Sequence, residues 1–295
     1  MDAHDELAAE FEGRRERLRA IAYRMLGSAP DAEDAVQETW LRLGRTGGGG
    51  IDNLTAWLTT VVSRICLDML RARTARREEP YGAGLAERAA GEQDGPEEET
   101  VLAESVGLAL LVVLGTLNPA ERVAFVLHDL FAVPFEQIAA ITDRSLPAAK
   151  KLASRARHKV RGTPAMPTAE QAGQRRVVEA FLAAARGGDL GVLLGLLAPD
   201  VVRRADPAAL PPGVAAELRG ARAVAEGTVL LRHRARFAVP ALVDGRVGLL
   251  VAPRGRLLHV LRVTVEGGRV TAYEVIADPA RLRGLELAVL DPPTA

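Results

Sequence analysis

At 295 residues the chain is long enough for about two domains, and with only 4% aromatics its cores must be built from aliphatic side chains and alanine. Lys plus Arg and Asp plus Glu balance at 38 each, which would exclude nucleic acid as a partner if charge were evenly spread; the basic residues are instead concentrated in particular segments. The single cysteine, Cys66, excludes a disulfide within the chain; the polar opening MDAHDELAAEFEGRRERL excludes a signal peptide, and no run reaches the length of a membrane span, so the protein is expected in the cytoplasm.

Residues 5–26 show a helical pattern with Leu7, Phe11, Leu18, Ile21, Ala22 and Met25 inward, ended by Gly27-Ser28-Ala29-Pro30. The next helix, DAEDAVQETWLRL, turns Val36, Trp40 and Leu43 one way and Asp31, Asp34, Glu38 and Arg42 the other. Its acidic face is either a solvated surface favoured by the helix dipole or a docking surface for a basic partner. After the flexible Gly47–Gly50 run, Leu54 to Arg73 reads as a long helix with Leu58, Val61, Val62, Ile65, Met69 and Ala72 as its core stripe and Cys66 as a buried thiol. Trp57, Thr60, Arg64, Asp68 and Arg71 lie opposite. A tryptophan among arginines suits single-stranded DNA, whose bases stack on aromatics while arginines track phosphate; packing on a neighbouring helix is the plainer alternative. From Glu78 to Thr100 the chain is rich in Gly, Pro and acid and reads as a linker. Helical pattern resumes at Val101 and continues through Leu127, restarting at Asn118-Pro119.

Pro134 to Arg161 reads as two helices joined by a tight turn. Phe135, Ile138, Ala139 and Thr142 share one face of the first. Asp143-Arg144-Ser145 breaks the pattern, Ser145 is a candidate N-cap, and Pro147 is tolerated in a first turn, so a new helix starts at about Leu146. Ala149, Leu152, Ala153, Ala156 and Val160 form its narrow apolar stripe, and no acidic residue occurs from Leu146 to Arg161. A small-residue stripe backed by unbroken positive charge is what a helix needs to pack on a scaffold and still enter a major groove, so the reading is a helix-turn-helix without the usual turn glycine.

The order of these parts, DAEDAVQETWLRL, then AWLTTVVSRICLDMLRARTARR, an acidic linker, and LNPAERVAFVLHDLFAVPFEQIAAITDRSLPAAKKLASRARHKVRG, closely resembles bacterial RNA polymerase sigma factors of the extracytoplasmic-function (ECF) group over roughly the first 162 residues. The resemblance implies an all-α region 2 at 1–77, an acidic flexible linker at 78–104 and a helix-turn-helix region 4 at 105–163. It implies a factor without catalytic chemistry or cofactor, whose partners are the core polymerase and promoter DNA. Asp31, Asp34 and Glu38 would meet the polymerase clamp. Trp57, Arg64 and Arg71 would melt and read the -10 element, with an extruded base captured on that helix. Lys150, Lys151, Ser154, Arg155, Arg157 and His158 would read or grip the -35 element, mostly through phosphate. Arg64 and Ser63 stand where many members carry Asn and Arg, so promoter bases do not transfer. The linker's charge could mimic RNA in a polymerase channel.

The chain continues past Thr163-Pro164-Ala165-Met166-Pro167, a stiff boundary. Glu170 to Ala185 reads as a helix with Val177, Val178, Phe181 and Leu182 inward, and Leu190 to Leu197 as a second. From Phe237, strand-like runs separated by Asp244-Gly245, Arg254-Gly255 and Gly267-Gly268 indicate an antiparallel meander. Arg232, Arg234 and Arg236 are expected to alternate along an edge strand and guard it. The whole, residues 168–295, looks like the α+β cone of SnoaL-like domains, which occurs fused to a subgroup of these sigma factors as a regulatory extension. Members of that subgroup carry one motif early in the extension and another at its end; the corresponding stretches are Arg204-Ala205-Asp206-Pro207 and Ala277-Asp278-Pro279-Ala280-Arg281-Leu282. Asp206, His259 and Tyr273 are the candidate residues of a regulatory pocket for a small-molecule or protein regulator. For a rival enzyme, His233 and Glu274 join these three as acid-base candidates, but their spacing matches no metal site or catalytic triad. The alternative to a sigma factor is a polymerase-independent helix-turn-helix regulator with a ligand-sensing C-terminal domain.

Overall fold

The computed structural model of the chain describes residues 3–46, 50–78, 105–211 and 213–290. It divides into two compact units, one formed by residues up to 78 and 117–157, the other by 105–116 and 158–290. The linker expected at 78–104 lies, but for Glu78, outside the described residues.

In the first unit, Gly27 at φ 69° stops α1 (Ala3–Leu26), and α2 (Ala29–Thr46) and α3 (Leu54–Glu78) pack with it. Phe11, Leu18, Ile21, Ala22 and Met25 of α1 are buried with Val36 and Leu43 of α2, and the half-buried Trp40 lies tilted on Phe11 at 5.0 Å. The stripe of α3 is rotated from its expected position. Leu58, Val62 and Ile65 are buried, but Met69 is half-buried and Ala72 exposed, and Thr59, Ser63, Cys66, Leu67 and Leu70 take the interior instead. Thr59 can enter the core because its hydroxyl donates to the Thr55 carbonyl four residues back at 2.8 Å. Burial pushes the Cys66 thiol up to about 12, against the opposing pull of Arg122 and Arg73.

The helix α4 (Ser105–Thr116) belongs to the second unit, and the helical stretch restarts where expected, at Asn118, which caps α5 (Pro119–Phe125) with its Oδ1 accepting from the Glu121 amide at 2.8 Å. A π-helical turn (Val126–Leu130) then carries the helix past Leu127, and α6 (Phe135–Thr142) and α7 (Leu146–Arg161) follow. The unit boundary cuts α7 between Arg157 and His158.

In the second unit, α8 (Thr168–Gly187) and α9 (Leu190–Leu196) precede strands β1 (Leu197–Ala205) and β2 (Glu217–Arg219). After α10 (Ala221–Leu230) and α11 (Arg232–Ala235) come β3 (Ala238–Val243), β4 (Arg246–Val251), β5 (His259–Glu266), β6 (Arg269–Ile276), α12 (Pro279–Arg283) and β7 (Leu287–Ala288). The sheet order is β2-β1-β6-β5-β4-β3-β7, antiparallel except where β1 runs parallel to β6. The expected meander is β3 to β6. Asp244 and Gly245 take φ 50° and 74°, the pair of positive angles a two-residue hairpin turn requires. Val178, Phe181 and Leu182 of α8, with Val224 and Ala225 of α10, pack on Leu249, Val251, Val263 and Tyr273 from the sheet. The result is the α+β arrangement expected for this part of the chain.

Two details depart from expectation. Arg254-Gly255 lies in a 3-10 turn (Pro253–Gly255), not a tight hairpin, and Arg232, Arg234 and Arg236 do not alternate along a strand. Arg232–Ala235 is a single helical turn, and the edge that arginines would have guarded is closed by β7, which pairs Leu242 with Ala288 and Val243 with Leu287. No helix among the described residues is long and apolar enough to cross a membrane.

Candidate nucleic-acid interface and regulatory cavity

The turn between α6 and α7 is made without glycine. Asp143 adopts the left-handed conformation at φ 55°, and its short polar side chain is one of the few that tolerate it. Ser145 opens α7, with its Oγ 3.4 Å from the Ala148 amide and its carbonyl accepting from Ala149 at 2.9 Å. Ala149, Ala153, Ala156 and Val160 are buried, so small residues bring the helix close to its support. Lys150, Lys151, Ser154, Arg155 and His158 are exposed on the remaining surface. Arg157 differs from them. It is half-buried, and its Nε donates at 2.5 Å to Oδ1 of Asp129, whose side chain is 4% exposed. The π-helical turn is what carries Asp129 to that position.

On α3, Trp57 is half-buried while Arg64 and Arg71 are exposed. Arg64 donates through Nη2 to the Ala140 carbonyl of α6 at 2.9 Å. Gln137 of α6 reaches back, its Nε2 donating to the Ala56 carbonyl at 2.7 Å and to Thr60 Oγ1 at 3.0 Å. The polar side of α3 is thus engaged by the helix that leads into the turn. Arg71 lies 3.5 Å from Asp68 and also lines a cleft of about 520 Å³ with Arg144, Lys151 and Arg155. One candidate for the -10 element and two for the -35 element therefore share a basic concavity, which focuses positive potential.

Of the acidic face on α2, Asp31 is half-buried and pairs with Arg73 at 2.6 Å, and Glu38 pairs with Arg42 one turn on at 2.9 Å. Asp34 is exposed, with no ion pair among the described residues.

In the second unit, the helices and sheet line a partly open cavity of about 80 Å³. His259 and Tyr273 line it; Asp206 does not. Tyr273 is nearly buried, its hydroxyl 2.8 Å from Thr228 Oγ1, and burial raises its pKa against the opposing effects of Thr228 and Arg203. Burial first, then the charge of Arg234, lowers His259 to about 4, so its imidazole is neutral near pH 7. Asp206 sits at the end of β1 and ties together the two stretches singled out in the sequence. Its Oδ2 accepts from the amides of Ala277 and Asp278 at 2.9 and 3.0 Å, and Arg281 Nη1 donates to Oδ1 at 2.5 Å. Desolvation would raise its pKa, but the Asp278 and Ala277 amides and Arg281 outweigh it and hold the carboxyl below its usual value. Asp278 caps α12 through the Ala280 and Arg281 amides, and Arg281 also reaches Glu274 at 2.5 Å. His233 is exposed on α11.

Sequence reasoning missed Arg203. It is 2% exposed and lines the cavity. The available signal was period two: in VVRRA, Val201, Arg203 and Ala205 share the buried face of β1, and Arg204 points out to Glu217.

Comparison with known proteins decides the family. Residues 11–76 match Sigma-70 region 2 and residues 107–160 match Sigma-70, region 4. The chain is 36% identical to the probable ECF RNA polymerase sigma factor SigI of Mycobacterium tuberculosis (strain ATCC 25618 / H37Rv), over 96% of this chain and 97% of that protein. The chain belongs to the ECF RNA polymerase sigma factors. It is also 38% identical to the ECF sigma factor SigJ of the same strain, over 95% of this chain and 94% of that one. Against a crystal structure of M. tuberculosis SigJ it shows 36% identity over 94% of this chain and 98% of that one, with a TM-score of 0.45. Both full-length relatives span the second unit as well as the sigma regions, so the extension is part of what the relatives share.

Proposed function

We propose that this sigma factor docks on the core polymerase through the acidic face of α2, centred on Asp34, and engages the -10 element through Trp57, Arg64 and Arg71. The -35 element is gripped by Lys150, Lys151, Ser154, Arg155 and His158, while Arg157 positions the helix. The second unit regulates access to polymerase or DNA, with its cavity as the regulatory site. The observation that carries the reading is the exposed, acid-free face of α7, seated on a stripe of small residues after the left-handed turn at Asp143. Because Arg64 is held by the Ala140 carbonyl, its use on DNA requires α6 to move away from α3.

Run-off transcription with purified core polymerase on a pooled promoter library tests this. The full chain should direct promoter-specific transcripts, and Lys151→Ala with Arg155→Ala should weaken promoter binding uniformly and reduce its salt dependence by about two phosphate contacts. A chain that binds duplex DNA yet neither binds core nor starts transcripts would replace this reading with the polymerase-independent regulator.

A further inference from the structure

Among the described residues, Arg203 is the one large charged side chain in the most fully buried set. Its Nη2 donates to the Ala215 carbonyl, but Nε and Nη1 have no partner, and no carboxylate pairs with it among the described residues. A buried cation without a counter-charge is costly, and a protein interior tolerates one where something else supplies the charge. Arg203 is among the residues that line the 80 Å³ cavity of the second unit.

The rest of that cavity limits what could enter. Phe181, Leu182, Leu249 and Leu261 give it an apolar wall. Arg234 Nη1 lies 3.3 Å from His259 Nε2, and since the guanidinium can only donate, Nε2 accepts and Nδ1 carries the proton. Nδ1 has no hydrogen-bond partner; the Leu258 carbonyl is near enough to favour the charged imidazole slightly but is not in bonding geometry. The unpartnered groups are therefore donors: two nitrogens of Arg203 and one of His259. Buried donors with an apolar wall call for an acceptor that carries negative charge and an apolar body. The volume is roughly half of the ~150 Å³ that accommodates benzene, which leaves room for only a few carbon atoms.

We propose that the cavity binds a short-chain aliphatic carboxylate, with its carboxylate on Arg203 and His259 and its hydrocarbon body against the apolar wall. The site deepens the regulatory reading of the second unit, but the binding itself does not depend on that reading.

The test uses the purified full chain, acetate as probe, and ethanol, inorganic phosphate and chloride as controls, read by thermal shift and titration calorimetry. Acetate should raise the melting temperature saturably by several degrees, and the alcohol and the inorganic anions should not. Arg203→Met should melt higher than the wild type without ligand, because the unpaired charge is gone, and should bind acetate at least tenfold more weakly. Leu249→Trp, which fills the cavity and keeps the arginine, should also lose the shift. Equal shifts from chloride or phosphate would overturn the proposal in favour of an inorganic anion, and equal shifts from the alcohol would show that Arg203 does not recognise charge. Undiminished binding by a folded Arg203→Met chain would overturn it as well. Transcription assays are not needed for any of these outcomes, so failure of the site is distinguishable from failure of the regulatory reading.

Discussion

Arg157 sits on α7, the helix proposed to face DNA, and carries the right charge, yet the structure gives it a different surrounding from its neighbours. Its partner Asp129 is almost wholly buried, and Oδ2 of that carboxylate makes no hydrogen bond, so the ion pair through Oδ1 is what compensates the charge. Breaking a fully buried pair costs about 3–5 kcal/mol, whereas an exposed pair contributes about 1 kcal/mol or less. With Arg157 itself 30% exposed, the loss on Arg157→Ala falls between these limits, at about 2 kcal/mol. For a protein of this size that is a fall of roughly 4–8 °C in melting temperature. The assay pairs thermal unfolding with promoter-duplex anisotropy across a salt series, and adds Asp129→Asn and the double variant. Arg157→Ala should lower the melting temperature, and the double variant should recover part of the loss, because no buried carboxylate is left unpaired. Its salt slope for DNA should match the wild type. An unchanged melting temperature with a slope reduced by about one would refute the reasoning and make Arg157 a phosphate contact.

Gln137→Ala removes the two side-chain hydrogen bonds that hold α6 on α3, worth about 1 kcal/mol net, so single-stranded -10 DNA should bind roughly fivefold more tightly by fluorescence anisotropy; unchanged or weaker binding would show that α6 does not cover the site. Asp206 has a folded pKa below the ordinary carboxylate value, so its contribution to stability is present above that ordinary value and is lost as the pH falls through the lowered one. Asp206→Asn should therefore cost stability in urea titrations at neutral pH, with the gap to the wild type closing in strong acid. His259, lowered from 6.5 to about 4, gives the opposite kind of group but the same sign: the unfolded chain takes up the proton first, so stability declines as pH falls from about 6.5 towards 4. His259→Gln should flatten that part of the stability profile measured by chemical denaturation, and an unchanged slope would place the lost protons elsewhere.

The elements legible in the sequence are those in which local chemistry and tertiary packing agree. Ser145, Pro147 and the small residues of α7 specify a helix start and a close-packed face without help from the rest of the chain, and the structure has both. The turns at Asp244-Gly245 and Gly267-Gly268 likewise specify their hairpins, because few residue pairs accept two positive φ values. Elements decided by distant partners were not legible. Pro199 and Asp200 interrupt the strand signal of β1, which exists because β6 and β2 hold it from either side. Leu287–Ala288 is too short to show any period and becomes a strand by pairing with β3. The rotation of the α3 stripe has the same origin: Thr59 reads as polar, but its helical hydroxyl satisfies itself on the preceding turn, and hydropathy alone does not register that. At the candidate site, the face of α7 was read from its small-residue stripe and its unbroken positive charge, whereas the separate position of Arg157 required knowing where Asp129 lies.

Buried arginines show why burial by itself does not identify a site. Arg122 is 7% exposed, and burial first, then Arg73, lowers its pKa to about 10. Its Nη2 donates to the Arg24 carbonyl at 3.3 Å, in the last turn of α1, where the unsatisfied carbonyls of a helix end carry partial negative charge that offsets a cation. The chain also comes close to it at Gly27, where an added Cβ would lie 3.4 Å from Arg122 Nη2. Arg203 is more deeply buried, rests on one carbonyl outside any helix end, and lines the cavity of the second unit. Both residues are buried cations with an unpartnered nitrogen, but Arg122 bonds a carbonyl at a helix end, whereas Arg203 bonds a loop carbonyl and lines the cavity. That contrast, not the presence of a buried arginine, is the physical ground for assigning structure to the first and recognition to the second.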